Sequence, residues 1–140
     1  MVVGMLFVAI ALIAGNIDAT AETQTRQDAA IYAQHMSAYG GFVALYARSR
    51  PTTTGTINDA TAGVPGWFVR FPGVTNTIVG GIAYAYVVPQ DQAKGFAIAR
   101  AVPEPFAAGV KVAGRLQPPG GPVGQPLPST IPDGAVVVVR

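Results

Sequence analysis

The chain of 140 residues contains no cysteine. That excludes a disulfide framework, a thiolate nucleophile and a cysteine-bound metal. Histidine is almost as scarce, with His35 alone, and no H-x-x-E or H-x-x-x-H spacing accompanies it. The three serines, Ser37, Ser49 and Ser129, lie outside any G-x-S-x-G context. Charge is thin as well. Charged residues make up 11% of the chain, and nine Lys/Arg against seven Asp/Glu leave a net charge of +2. The basic residues never form a run, which argues against a nucleic-acid surface.

The acids are dispersed at Asp18, Glu22, Asp28, Asp59, Asp91, Glu104 and Asp133, and nothing in their spacing supports a catalytic carboxylate pair. Gly80-Gly81 and Gly120-Gly121 lack the Lys-Ser/Thr ending of a phosphate loop and read as bends. His35 reads as a half-buried residue with one hydrogen bond rather than as a ligand or base. Asp18 and Glu22 share a helix face and read as a solvated face or a docking charge. Trp67 and the tyrosines read as core, with a binding platform as the alternative. No catalytic, cofactor-binding or metal residue is assigned, and the sequence does not read as an enzyme.

Hydrophobic residues, by contrast, make up half of the chain, and Met1 to Ile17 carries no charged side chain. As a helix, Met1 to Gly15 would rise about 22 Å, against a hydrocarbon core of about 30 Å. With its flanks at headgroup level, this is a marginal span. We therefore divide the chain into a transmembrane segment (1–17), a stalk and amphipathic helix packing on a sheet (18–50), and an α+β domain (51–140). Two other readings of the front end stay open. One is an export signal cut after Ala21, where Ala19-Thr20-Ala21 has the small-x-small form. The other is a core helix. A type IV pilin leader is disfavoured, because a cut at Gly4-Met5 would put Ala9 where pilins carry an acid.

The helix is predicted to run to about Ala47 and to end before Pro51. Tyr32, Met36, Tyr39, Val43 and Tyr46 fall in a band about 80° wide, with Ile31, Ala38, Phe42 and Leu45 beside it. Both stripes are assigned to the core. A loop over 52–66 precedes a strand at 67–71 and a turn at Pro72-Gly73. Residues 77–88 read as one alternating strand, bent at Gly80-Gly81, with a small-residue face suited to a close helix. Residues 90–101 read as a short helix, with a strand as the alternative. A strand over 109–117 buries Val110, Val112 and Leu116. Residues 118–132 form a proline-rich extended loop outside the core. The final run, AVVVVR, is a strand inside the sheet, because consecutive valines imply burial on both faces. The fold class is α+β: a long membrane-spanning N-terminal helix, an antiparallel or mixed sheet of about four strands, and one short additional helix.

The short apolar front, the helix ending Tyr46-Ala47-Arg48, GTINDATAGVPGWF at 55–68, GGIAYAYV at 80–87 and LPSTIPDGAVVVV at 127–139 together resemble the PilM family of type IVb thin, conjugative pilus systems. The resemblance spans nearly the whole chain and carries no catalytic signature. It implies a small inner-membrane protein of the pilus basal body or pilin-export apparatus, with its globular part in the periplasm and no cofactor. Implied partners are other pilus-assembly or membrane proteins, reached through the stalk and exposed sheet edges. The bilayer would be met through residues 1–17, a homo-oligomer is compatible, and nucleic acid is not expected.

Overall fold

The computed structural model describes residues 17–103 and 106–140, with side chains from Gln24 onward. The transmembrane call, 1–17, therefore lies outside the described residues except for Ile17, as do the side chains of Asp18 and Glu22. Helix α1 (Ile17–Ser49) has 33 residues and is about 50 Å long at ~1.5 Å per residue. Among the described residues, no helix is long and apolar enough to cross a membrane. A single turn, α2 (Asp59–Ala62), follows. Next come the strands β1 (Thr75–Val79) and β2 (Ile82–Val87) and helix α3 (Gln92–Ala101). The chain closes with β3 (Ala107–Val112), β4 (Arg115–Gln117) and β5 (Val136–Val139).

The sheet has five strands in the order β1-β2-β5-β3-β4, and every neighbouring pair is antiparallel. The expected count of about four is therefore too low, for an identifiable reason. Two runs read as single strands are hairpins. Gly80 and Gly81 both adopt positive φ and reverse the chain between Val79 and Ile82, the geometry of a two-residue primed turn. Ala113-Gly114 does the same between β3 and β4. In the other direction, the strand expected at 67–71 is absent. That segment follows the period of its contacts with α1, where Phe68 and Phe71 point inward three residues apart, rather than a strand period of two.

The closing valines lie at the centre, as their pattern predicts. Val136 and Val138 join the cluster under the helices, while Val137 and Val139 join the cluster on the opposite face. On the helix side α1 meets Ala83, Ala85 and Val87 of β2. Its buried face is Ala29, Ala33, Met36, Tyr39, Val43, Ala44 and Ala47, with Gly40 also buried. A Cβ on Gly40 would already stand 3.6 Å from that of Ala85. Small residue against small residue brings the helix axis close to the sheet. Larger apolar groups fully enclosed there, such as Met36 and Ile78, each contribute about 1.5–3 kcal/mol of burial. α3 starts at an Asp91 cap whose carboxylate accepts from the Lys94 N–H at 2.8 Å. It buries Gly95, Ile98 and Ala99.

The proline-rich segment is not an outlying loop. It lies across the second face of the sheet and delivers Leu127 and Ile131 into the cluster with Tyr84, Tyr86, Leu116 and Val137. The buried Lys111 anchors it, its ammonium donating to the carbonyls of Pro128 and Ile131. Val112, expected in the core, is 38% exposed at the hairpin end.

A candidate interaction surface along the outer face of α1

On α1, Ile31, Ala38 and Leu45 are spaced seven residues apart and line the side directly away from the sheet. Ile31 is 52% exposed and Leu45 is 64% exposed. Of the stripe expected in the core, Ile31, Ala38 and Leu45 are therefore exposed, whereas Phe42 is half-buried. The buried face is rotated by about 60° from the expected aromatic band, toward the alanines, at 100° per residue. The bulky Tyr32 and Tyr46 pack only at the margin.

Two walls flank this outer strip. One is the 64–72 arm. Tyr32 meets Phe71 edge-on at 5.1 Å between centroids, and Phe42 meets Phe68 edge-on at 5.5 Å. His35 stacks on Phe71 at 3.8 Å, and its Nε2 accepts the Phe71 backbone N–H at 2.9 Å. That bond requires an unprotonated Nε2. Burial, and then the Arg70 guanidinium, hold the imidazole below its ordinary pKa of 6.5, consistent with the neutral form. His35 is thus a half-buried latch with one hydrogen bond, as expected. Phe68 and Phe71 face α1, which leaves Trp67 78% exposed and Val69 79% exposed. The core reading of Trp67 is corrected, since its ring meets only the edge of Phe68, at 6.1 Å.

The other wall is Phe106 with Arg140, whose guanidinium lies 5.0 Å from the Phe106 ring centroid. Between this wall and α1 is a groove of about 490 Å³ lined by Ser37, Ala38, Gly41, Phe42, Leu45 and Arg48. A second cleft of about 510 Å³ lies where Asp28 and Tyr32 of α1 face Gln90 and Lys94. There the lysine is engaged by the Gln90 side chain.

The sheet edges, expected to be open for docking, are occupied. Gly55 exchanges both backbone bonds with Ile78 of β1, each 2.9 Å. Leu116 of β4 donates to the Gln125 carbonyl at 2.9 Å and accepts from Gly124 at 2.7 Å. Strand addition has no clear template there. Asp59, read as a turn residue, opens α2 behind its Asn58 cap and lies 3.8 Å from Arg70. Among the described residues, no group of three His, Asp or Glu side chains converges. Sequence reading missed the roles of Arg48, Phe106 and Arg140 at this surface. The usable signal is the second apolar stripe on α1, which hydropathy alone reads as interior.

Comparison with known proteins places this geometry in a family. No curated protein matches the chain. A crystal structure of a protein designated PilM from Escherichia coli B7A is 20% identical, covers 85% of this chain and 93% of its own, and superposes with a TM-score of 0.55. A crystal structure of a protein designated pilM from Pseudomonas aeruginosa 2192 is 27% identical, covers 79% of this chain and 92% of its own, and has a TM-score of 0.49. The PilM family model matches residues 4–139, so the chain belongs to the PilM family and is a component of a pilus system.

Proposed function

We propose that this protein is a non-catalytic inner-membrane scaffold of type IVb pilus biogenesis. In this reading, residues 1–17 hold it in the bilayer and the folded domain docks other assembly proteins in the periplasm. The observation that carries the reading is the outer strip of α1. A helix 33 residues long, tied to the sheet along its inner side, presents Ile31 and Leu45 outward, with Trp67 on the adjoining wall. A row of exposed apolar side chains along one helix side is a candidate docking surface. Family membership supplies the pilus setting, and the uncharged stretch from Met1 to Ile17 supplies the anchor.

The test is alkaline carbonate extraction of cell membranes, N-terminal sequencing of the retained chain, and photo-crosslinking from position 45. The expected result is a chain that sediments with membranes, keeps its front end, and captures another pilus-assembly protein. A soluble chain beginning after Ala21 would replace this reading with an exported domain. Recovery in sheared pili would replace it with a fibre subunit.

A further inference from the structure

The groove beside α1 is bordered by the side chains of two arginines, and no Asp or Glu lines it. Neither Arg48 nor Arg140 has an acidic partner among the described residues. Arg140 is nonetheless well placed, since its backbone exchanges bonds with Ala83 at 2.9 and 3.3 Å and its guanidinium rests on Phe106. We propose that the groove binds a partner helix with an apolar face and one carboxylate, which pairs with the Arg48 and Arg140 guanidinium groups. This rests on the docking reading above and names the chemistry of the partner.

The floor explains why the partner is helical. Ala38 and Gly41 leave room for close backbone approach, and Phe42, Leu45 and Phe106 supply apolar contact. Ser37, the one hydroxyl, already donates to the Ala33 carbonyl at 2.7 Å. An extended peptide would bury backbone groups against a surface with few partners for them, whereas a helix satisfies its own. From Ser37 to Arg48 the groove runs about 16 Å, room for about three helical turns.

Charge also separates this partner from its rivals. A second copy seated on the same strip would bring the Arg48 and Arg140 side chains of each chain together with no Asp or Glu side chain between them. A lipid surface fits the cations but not the position. Leu45 lies about 42 Å along α1 from Ile17, far from a bilayer entered at the front of the helix.

The test uses the full chain in nanodiscs of neutral phospholipid and a labelled, water-soluble 16-residue amphipathic helix. The probe has Leu and Ala on one face, Gln elsewhere, and one Glu at the edge of the apolar face. Its twin carries Gln at that position. Fluorescence anisotropy should show the Glu peptide binding about tenfold more tightly than the twin, which corresponds to about 1.4 kcal/mol. The double variant Arg48→Ala/Arg140→Ala should bind both peptides equally. Leu45→Asp should weaken both. Thermal unfolding of each variant confirms that the fold survives, as the exposure of Leu45 leads one to expect.

Equal affinity of the two peptides for the natural chain overturns the proposal, and so does a preference that survives loss of both arginines. Displacement of the Glu peptide by phosphatidylglycerol vesicles, lost in the arginine variant, assigns the cations to lipid instead. Self-association abolished by Leu45→Asp assigns the strip to a second copy. A chain that proves to be released from cell membranes yet keeps the Glu preference sinks the anchored-scaffold reading alone.

Discussion

Asn76 shows how much of the architecture one polar side chain carries. It is wholly buried in β1, a position type where asparagine is depleted. Its amide does what a strand neighbour would do. Oδ1 accepts from the Ile57 N–H at 3.1 Å, and Nδ2 donates to the Ile57 carbonyl at 2.8 Å and to the Tyr39 hydroxyl at 2.6 Å. One residue thus ties the 55–58 segment and α1 to the sheet. Asn76→Leu strands the Ile57 N–H and carbonyl away from water. It should lower the unfolding free energy by about 2–4 kcal/mol in urea titration. A loss under 1 kcal/mol would mean that solvent reaches the site. None of this was legible in the sequence, where Asn76 falls between the turn at Pro72-Gly73 and the strand read from residue 77, and its partners lie 19 and 37 residues away.

Helix α1 and its arm belong to the scale of elements, and so does the protein's pH response. The Phe71 N–H needs neutral His35, and the folded-state pKa of His35 is lowered by burial and by Arg70. A group with a depressed folded pKa of this kind contributes stability that is present above its unfolded value near 6.5. That stability is lost as pH falls through the lower folded value. Denaturation midpoints should therefore be flat above about pH 7 and fall under mildly acidic conditions, with a change in emission from Trp67, the sole tryptophan. The Arg70–Asp59 pair and the aromatic rings are the other groups facing the imidazole. His35→Gln should remove the mildly acidic part of the profile and leave the carboxylate part below. An unchanged profile would show that the arm is not held through this imidazole. The existence and span of α1 were legible from its uninterrupted helical pattern and from Pro51. The face it buries was legible in part: Met36, Tyr39 and Val43 of the aromatic band are fully enclosed, whereas close packing on Ala83 and Ala85 turns Ala33, Gly40 and Ala47 inward and leaves Tyr32 and Tyr46 at the margin.

At the scale of the whole molecule, the sheet is filled from both sides, by helices on one and by the proline-rich segment on the other. Ile131 is fully buried in that second layer, and its backbone N–H donates to Pro128 at 3.2 Å. Ile131→Ala should cost about 2–5 kcal/mol. In hydrogen exchange it should speed the Leu127 and Gly124 amides, which bond to Gly114 and Leu116, more than amides of α1. Equal acceleration everywhere would show that the segment has no independent opening. Composition marks residues 118–132 as unable to form a regular element. It does not reveal that such a stretch closes both a sheet face and the β4 edge.

Local rules were enough for the α+β class, the long helix, the second helix at 92–101, the turn at Pro72-Gly73 and the central valine strand. Each depends on backbone restriction or on periodicity within a few residues. Gly80-Gly81 reads in the sequence as a bend rather than as the reversal it is, since a bend and a hairpin share the same glycines and differ only in whether the flanking strands pair. Which stripe of α1 faces water, where the 67–71 aromatics turn, and how Arg48 and Arg140 come to border one groove depend on contacts between residues tens of positions apart. Those contacts are selected by fit and by the pairing of buried polar groups, and hydropathy along the chain carries no record of either.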